Sequence, residues 1–206
     1  MPFNEFNLYE DDTLDTEFSG TFQLLHYTDL SDGSQDMVLY LGSLNEDVML
    51  QATSNPGVAE ITITPTDILP EWEADTAYTV GQKVQPIGGN TYVYKCTIAG
   101  DSDSSEPSWP VPPVGFGSTV VDNDVTWELH SKQHPTTEVK LALTSGGLDS
   151  ATGGAALNLG NTILGGVAEA QPIHIRITNS VTNTSNNTGN EELAVYLNSC
   201  IETDVP

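Results

Sequence analysis

Across 206 residues the chain carries five Lys and Arg against 29 Asp and Glu, a formal net charge of −24. That balance excludes nucleic acid and anionic membrane surfaces as direct partners, because both are held through clustered cations, and the first 70 residues contain no Lys or Arg at all. Hydrophobic residues make up 37% of the chain, in runs such as MVLYLGSL and VKLALT, which excludes disorder and predicts a packed core.

What remains open to so acidic a surface is solubility, repulsion between copies, and attraction to basic partner surfaces or divalent cations. The N-terminal stretch MPFNEFNLYEDDTLDTEF has neither the basic nor the apolar region of a signal peptide. No run approaches the ~18 apolar residues of a membrane span. The expectation is a soluble chain without membrane insertion.

In chain order, short apolar runs bounded by Gly, Pro, Asn, Asp and Ser predict strands over 18–25, 36–42, 47–52, 58–64, 91–98, 125–129, 138–144, 172–178 and 192–198. Amphipathic helical periodicity is almost absent, so the predicted class is all-β, built as an antiparallel sandwich or small barrels.

Composition changes near residue 68 and again near 131. All three tryptophans, Trp72, Trp109 and Trp127, fall between these points with Tyr78, Tyr92 and Tyr94. A separate domain over 68–130 is predicted. About 60 residues give little core, so large aromatics and loop-stiffening prolines are what a stable miniature β-fold needs. Trp72, Tyr78 and Trp127 are its expected structural core, with Trp72 and Trp127 packed together. Period two puts Tyr92, Tyr94 and Cys96 on one strand face, either in the core or as a platform for sugar rings. Trp109, in a proline-rich loop, is the other candidate platform. DSDSSE, residues 101–106, offers clustered oxygens but lacks the glycine and closing glutamate of a calcium loop, and reads as a solvated acidic turn.

The ordered set Trp72, Ala77-Tyr78, Gly81, Val84, Tyr92, Cys96, Glu106-Pro107, Trp109-Pro110, Thr119-Val120, Asp122 and Val125-x-Trp127 resembles the small chitin- and cellulose-binding-like modules of carbohydrate-binding families 5 and 12. The variant it is similar to is the one found within bacteriophage structural proteins. The resemblance implies a small β-module whose exposed rings, Trp109, Tyr94 and Tyr92, contact a glycan.

Beyond the insert, residues 145–166 read as glycine turns between short extended pieces and lack the Gly-Lys-Ser/Thr of a phosphate loop, so no nucleotide cofactor is expected. In IHIRIT, Ile173, Ile175 and Ile177 point to the core while His174, Arg176 and Thr178 face water. Residues 179–190 are all polar or small and predict a long solvent-facing loop between two strands. Cys96 and Cys200, 104 positions apart, read as two buried thiols. His26, His130, His134 and His174 belong to no nucleophile, carboxylate or cysteine motif, so no metal and no catalytic residue is expected.

The simplest arrangement joins 1–67 and 131–206 into one β-sandwich, with 58–64 and 138–144 as adjacent strands and the module growing from the loop between them. Three modules in series is the alternative. These flanks look like the β-rich accessory proteins of tailed-phage particles. That likeness implies a virion structural protein, a capsid decoration or tail and fibre component, homo-oligomeric, docked on other virion proteins and displaying the module outward. A free polysaccharide-binding protein is the alternative function. An enzyme ranks below both, because glycoside hydrolysis needs a specific carboxylate pair in a cleft and 29 acids mark none.

Overall fold

The computed structural model describes residues 5–21, 33–181 and 192–206. In them the chain is all β, with only three short 3-10 turns for helical content. The strands are β1 (Asn7–Tyr9), β2 (Ser34–Gly42), β3 (Val48–Ala52), β4 (Thr62–Asp67), β5 (Ala77–Tyr78), β6 (Lys83–Val84), β7 (Tyr92–Ile98), β8 (Gly100–Asp101), β9 (Thr119–Asp122), β10 (Val125–Lys132), β11 (Val139–Ala142), β12 (Leu157–Asn158), β13 (Thr162–Leu164), β14 (Gln171–Thr178), β15 (Leu193–Leu197) and β16 (Cys200–Asp204). Every strand pairing among them is antiparallel.

β14 shows why these residues make strands. Ile173 and Ile175 are each 1% exposed, while His174 and Arg176 between them reach solvent; alternation at period two fixes both the face and the register, since a one-residue slip would expose both isoleucines. The strand lies between β2 and β11 in a sheet ordered β1-β2-β14-β11. On its outer face Arg176 forks onto both carboxylate oxygens of Asp36, at 2.6 and 2.7 Å, and reaches Asp149 at 2.7 Å. The hydrogen bonds and charge of Arg176 hold the Asp36 carboxyl below the usual carboxylate range.

Two further three-stranded sheets, β12-β4-β15 and β13-β3-β16, share their core with that one. β3 turns Val48, Leu50 and Ala52 inward, and Leu50 is fully buried beside Leu39, Ile61, Ile63, Leu141, Ile173 and Ile175. The adjacency expected between 58–64 and 138–144 does not occur. β4 pairs with β12 at Thr62 and Ile63 on one side and with β15 over 63–67 on the other. β11 pairs with β14 instead. Residues 18–21 form no strand, and the remainder of the strand expected over 18–25 lies outside the described residues, as do His26 and most of the 179–190 loop.

The span 72–131 builds a second core. Its strands form a sheet ordered β6-β7-β10-β9 and a small β5-β8 pair, and none of them pairs with a strand outside the span. Trp72, Tyr78, Val84, Tyr94, Cys96, Val125, Trp127 and Leu129 make one buried cluster that shares no residue with the first. Asn123, at the left-handed φ of 51° that Asn tolerates better than most residues, closes the two-residue turn from β9 into β10. Gly100 must lack a side chain, because a Cβ there would stand 2.6 Å from Cβ of Asp124. Irregular register against β7 between Leu129 and Ser131 breaks the alternation, as an extra residue in a ladder does. Leu129, His130 and Ser131 are consequently all buried.

Candidate functional site

The aromatic cluster is organised around one carboxylate. Oδ2 of Asp122, a residue only 2% exposed, accepts the indole N–H of both Trp72 at 2.8 Å and Trp127 at 2.9 Å, and Oδ1 accepts the backbone N–H of Asp103 at 3.0 Å. Large buried rings with a polar N–H need such an acceptor. Ser102 secures the same turn, its Oγ donating to the Glu73 carbonyl and accepting the Thr76 N–H. The 101–106 segment is therefore stitched to the module at its buried Ser102 and at Asp103 N–H. Among the described residues no group of three His, Cys, Asp or Glu is placed to hold a metal ion.

Rings then run outward from this acceptor. Tyr78 meets Trp127 edge-on at 4.7 Å between centroids, Trp127 meets Trp109 at 5.8 Å, and Trp109 lies over Tyr94 at 4.3 Å with a 38° tilt. Trp72, Tyr78 and Trp127 are 3%, 7% and 0% exposed. Tyr94 is also 0% exposed; its hydroxyl donates to the Pro110 carbonyl and accepts from Asn90 Nδ2, both at 2.8 Å, and burial pushes its pKa above the ordinary tyrosine value. A ring without an open face cannot stack on a sugar, so Tyr94 is a support for Trp109 and not itself a platform.

Trp109 is half-buried in the loop between β8 and β9. Its indole N–H donates to Oε1 of Glu106 at 2.8 Å, and the same oxygen accepts the Ile87 N–H at 2.7 Å. Trp109 is thus held on one face by Tyr94 and at its polar edge by Glu106. Tyr92, also half-buried, points elsewhere: it neighbours Phe116 at 6.5 Å and lines an open depression of about 300 Å³ with Thr91, Lys132, Gln133, Pro135 and Val181. The three candidate platform residues thus do not form one surface.

Cys96 is fully buried, with its thiol pushed up by burial and donating to the Ile98 carbonyl. Cys200 is only half-buried, on the β16 strand beside Asn198, which corrects the expectation of two buried thiols; both are free.

One constellation outside the aromatic unit contains catalytic residue types. His134 Nδ1 and Glu138 Oε2 are 2.8 Å apart, and the Ser180 hydroxyl donates to Glu138 Oε1 at 2.5 Å. In a nucleophilic triad the hydroxyl bonds the imidazole and the carboxylate bonds its far nitrogen. Here hydroxyl and imidazole both bond the carboxylate, so the imidazole is not placed to take the serine proton. The arrangement is an ion pair with a hydroxyl attached.

Comparison of the chain with known protein families, with curated proteins and with solved structures finds no match. Of the side chains that hold the four rings in place, Asp122 and Glu106 stand in the ordered set noted in the sequence but without a role there, and Asn90 is not singled out at all. The nearest to a signal is the position of Asp122 at the turn five residues before Trp127.

Proposed function

We propose that this chain is a structural component of a bacteriophage virion, a capsid-decoration or tail protein, whose flanking sheets form a docking β-sandwich. On this reading residues 68–130 are a carbohydrate-binding-like module displayed outward. The observation that carries it is the division into two hydrophobic clusters with no residue in common: one unit can be held on a scaffold while the other is presented. The excess of 24 negative charges supports docking onto basic patches of a capsid or tail, where charge complementarity sets on-rate and register. Immunogold labelling of purified particles with antibody against 68–130 tests the reading. Label over heads or at tails supports it, and unlabelled particles from a host that expresses the chain defeat it.

A free polysaccharide-binding protein is the second reading, favoured by Trp109 alone. An indole pinned on one edge by Glu106 and on one face by Tyr94 is pre-organised to take a sugar ring at low entropic cost. The expected outcome is retention of the purified chain on insoluble polysaccharide, lost at least tenfold in Trp109→Ala while circular dichroism shows the fold intact. Equal retention of the variant would remove Trp109 from the site.

A further inference from the structure

The sheets β13-β3-β16 and β12-β4-β15 turn one face to the main core and the other to solvent, and the solvent face carries no charge. In the first, Val48, Leu50 and Ala52 of β3 point inward, so Met49 and Gln51 point out, beside Thr162 and Leu164 of β13 and Ile201 and Thr203 of β16. In the second, Ile63 packs in the core, so Thr62, Thr64 and Thr66 point out, next to Asn158, Tyr196 and Ala194. The ladder continues from one sheet to the other, because the Asn198 N–H donates to the Thr62 carbonyl and the Thr53 N–H to the Ser199 carbonyl, both at 2.9 Å. The charged residues of these strands are Asp67, Glu202 and Asp204, and all three stand in the rows that alternate with the solvent face, in line with Ile63 or opposite Leu50 and Val48. The other two large sheets differ. Lys140, Arg176 and Asp36 stand in register across the outer face of β11, β14 and β2, and Lys83, Lys95 and Glu128 across β6, β7 and β10.

We propose that this uncharged face is where two copies of the chain pack, sheet against sheet. A formal charge of −24 makes copies repel wherever carboxylates meet, and a two-fold contact brings each patch against itself. A patch carrying carboxylates then faces carboxylates, whereas this one meets only hydroxyl, amide and apolar groups. A basic partner gains nothing here that the acidic remainder of the surface does not offer more strongly. The exposed apolar side chains of the face are Tyr196 at 55%, Leu164 at 42% and Ile201 at 41%. Covering them drives the contact, and the threonine hydroxyls between them can donate and accept across it. The contact does not depend on what the aromatic unit binds.

The edge strand favours packing through the face over strand-to-strand pairing. Glu202 Oε1 accepts the N–H groups of Glu5 and Phe6, at 3.0 and 2.7 Å, and Asp204 is exposed, so β16 has both a covering segment and charge of the kind that discourages strand addition. Leu197 and Cys200 both pack on the core although three residues apart, which places an extra residue at the join and bends β15 against β16. Three strands ~4.8 Å apart, with residues spaced ~3.3 Å along β15 and β16, give at most about 500 Å² on each copy and about 1,000 Å² for the pair, the size of a weak and reversible association.

Sedimentation velocity on the full chain tests the contact. In about 0.5 M salt, and at chain concentrations up to about 200 µM, the native chain is expected to pass from monomer to dimer, and the dimer to weaken as salt falls to about 0.05 M and screening is lost. Ile201→Glu and Tyr196→Glu, at solvent-facing positions where a fold tolerates change, are expected to raise the dissociation constant at least about tenfold, since the two-fold contact then holds like charges together. Val121→Glu, on the outer face of β9 at a side chain 70% exposed, leaves it unchanged. A native chain that is monomeric throughout, a dimer that strengthens as salt falls, or glutamate variants at 196 and 201 that dimerise as the native chain does would each overturn the contact. A monomeric chain whose capture on particles is abolished by Ile201→Glu would give the face to a different protein, and overturns it too. Should the glutamate variants not fold, the methyl carbon signal of Met49 in the native chain decides. A shift with chain concentration, while Met37 packed against the core stays constant, sustains the proposal, and a Met49 signal independent of concentration ends it.

Discussion

Replacing Asp122 with alanine is expected to lower the unfolding free energy of the chain by about 3 kcal/mol or more, the largest effect of any single polar substitution. The substitution leaves the indole N–H groups of Trp72 and Trp127 buried with no acceptor, each costing ~1–3 kcal/mol, and also releases the Asp103 N–H that pins the 101–106 turn. Asp122→Asn should cost less. Its one carbonyl oxygen can still take both indoles, as Oδ2 does now, while its amide N–H₂ confronts Asp103 N–H. Denaturant unfolding followed by tryptophan fluorescence measures both variants, since two of the three tryptophans report on this carboxylate. An alanine variant within 1 kcal/mol of the native chain would mean that the shared acceptor contributes nothing net.

The second large effect comes from the two cores. Trp127→Ala, in the aromatic cluster, should destabilise by ~3–5 kcal/mol, and Ile175→Ala, in the main cluster, by ~2–5 kcal/mol, from lost transfer energy and the cavity left behind. Both side chains are essentially solvent-free, at 0% and 1% exposure. Because the clusters share no residue, the losses should be local: Trp127→Ala reduces amide protection in β7, β9 and β10 while β2, β3 and β14 keep theirs, and Ile175→Ala does the reverse. In the double variant the two losses should add to within about 0.5 kcal/mol, as for distant sites without common partners. A coupling above 1 kcal/mol would show that the 72–131 unit and the flanking sheets fold as one cooperative body.

The longer strands were legible because burial on one face writes itself into the sequence. β14, β7 and β2 appear within two residues of where alternation and apolar runs place them, and β3 does too. The two-residue strands β5, β6, β8 and β12 were not, since so short a segment has no period and becomes a strand only by virtue of its partner; β1, β9, β13 and the five-residue β16 were not expected either. The pairing of β4 with β15 spans well over a hundred residues of chain and is set by which edges remain open once the other sheets form. Local pattern carries no information about that choice.

At the aromatic site the same division holds. That the rings of 72–127 supply the core of a small β-unit follows from how short the segment is, since about 60 residues leave little core and large aromatics bury the most area per residue. Which ring stays partly exposed does not follow: Tyr92 and Tyr94 alternate on one strand face, yet Tyr94 is sealed beneath Trp109 and Pro110 while Tyr92 reaches the depression beside Gln133 and Pro135. The difference arises from a loop folding back over one end of the strand.

The sequence by itself determined an all-β chain, its strongly acidic surface and the place where its aromatics concentrate, because composition and two-residue periodicity act locally and survive without knowledge of neighbours. Only the tertiary structure decided that one carboxylate serves two tryptophans, that Tyr94 is sealed while Trp109 stays partly exposed, and that Glu192 bonds the Ile68 and His134 amides at the two connections to the aromatic unit. Each of those depends on residues far apart in the chain meeting at hydrogen-bond distance, a condition that packing imposes and that spacing along the chain does not encode.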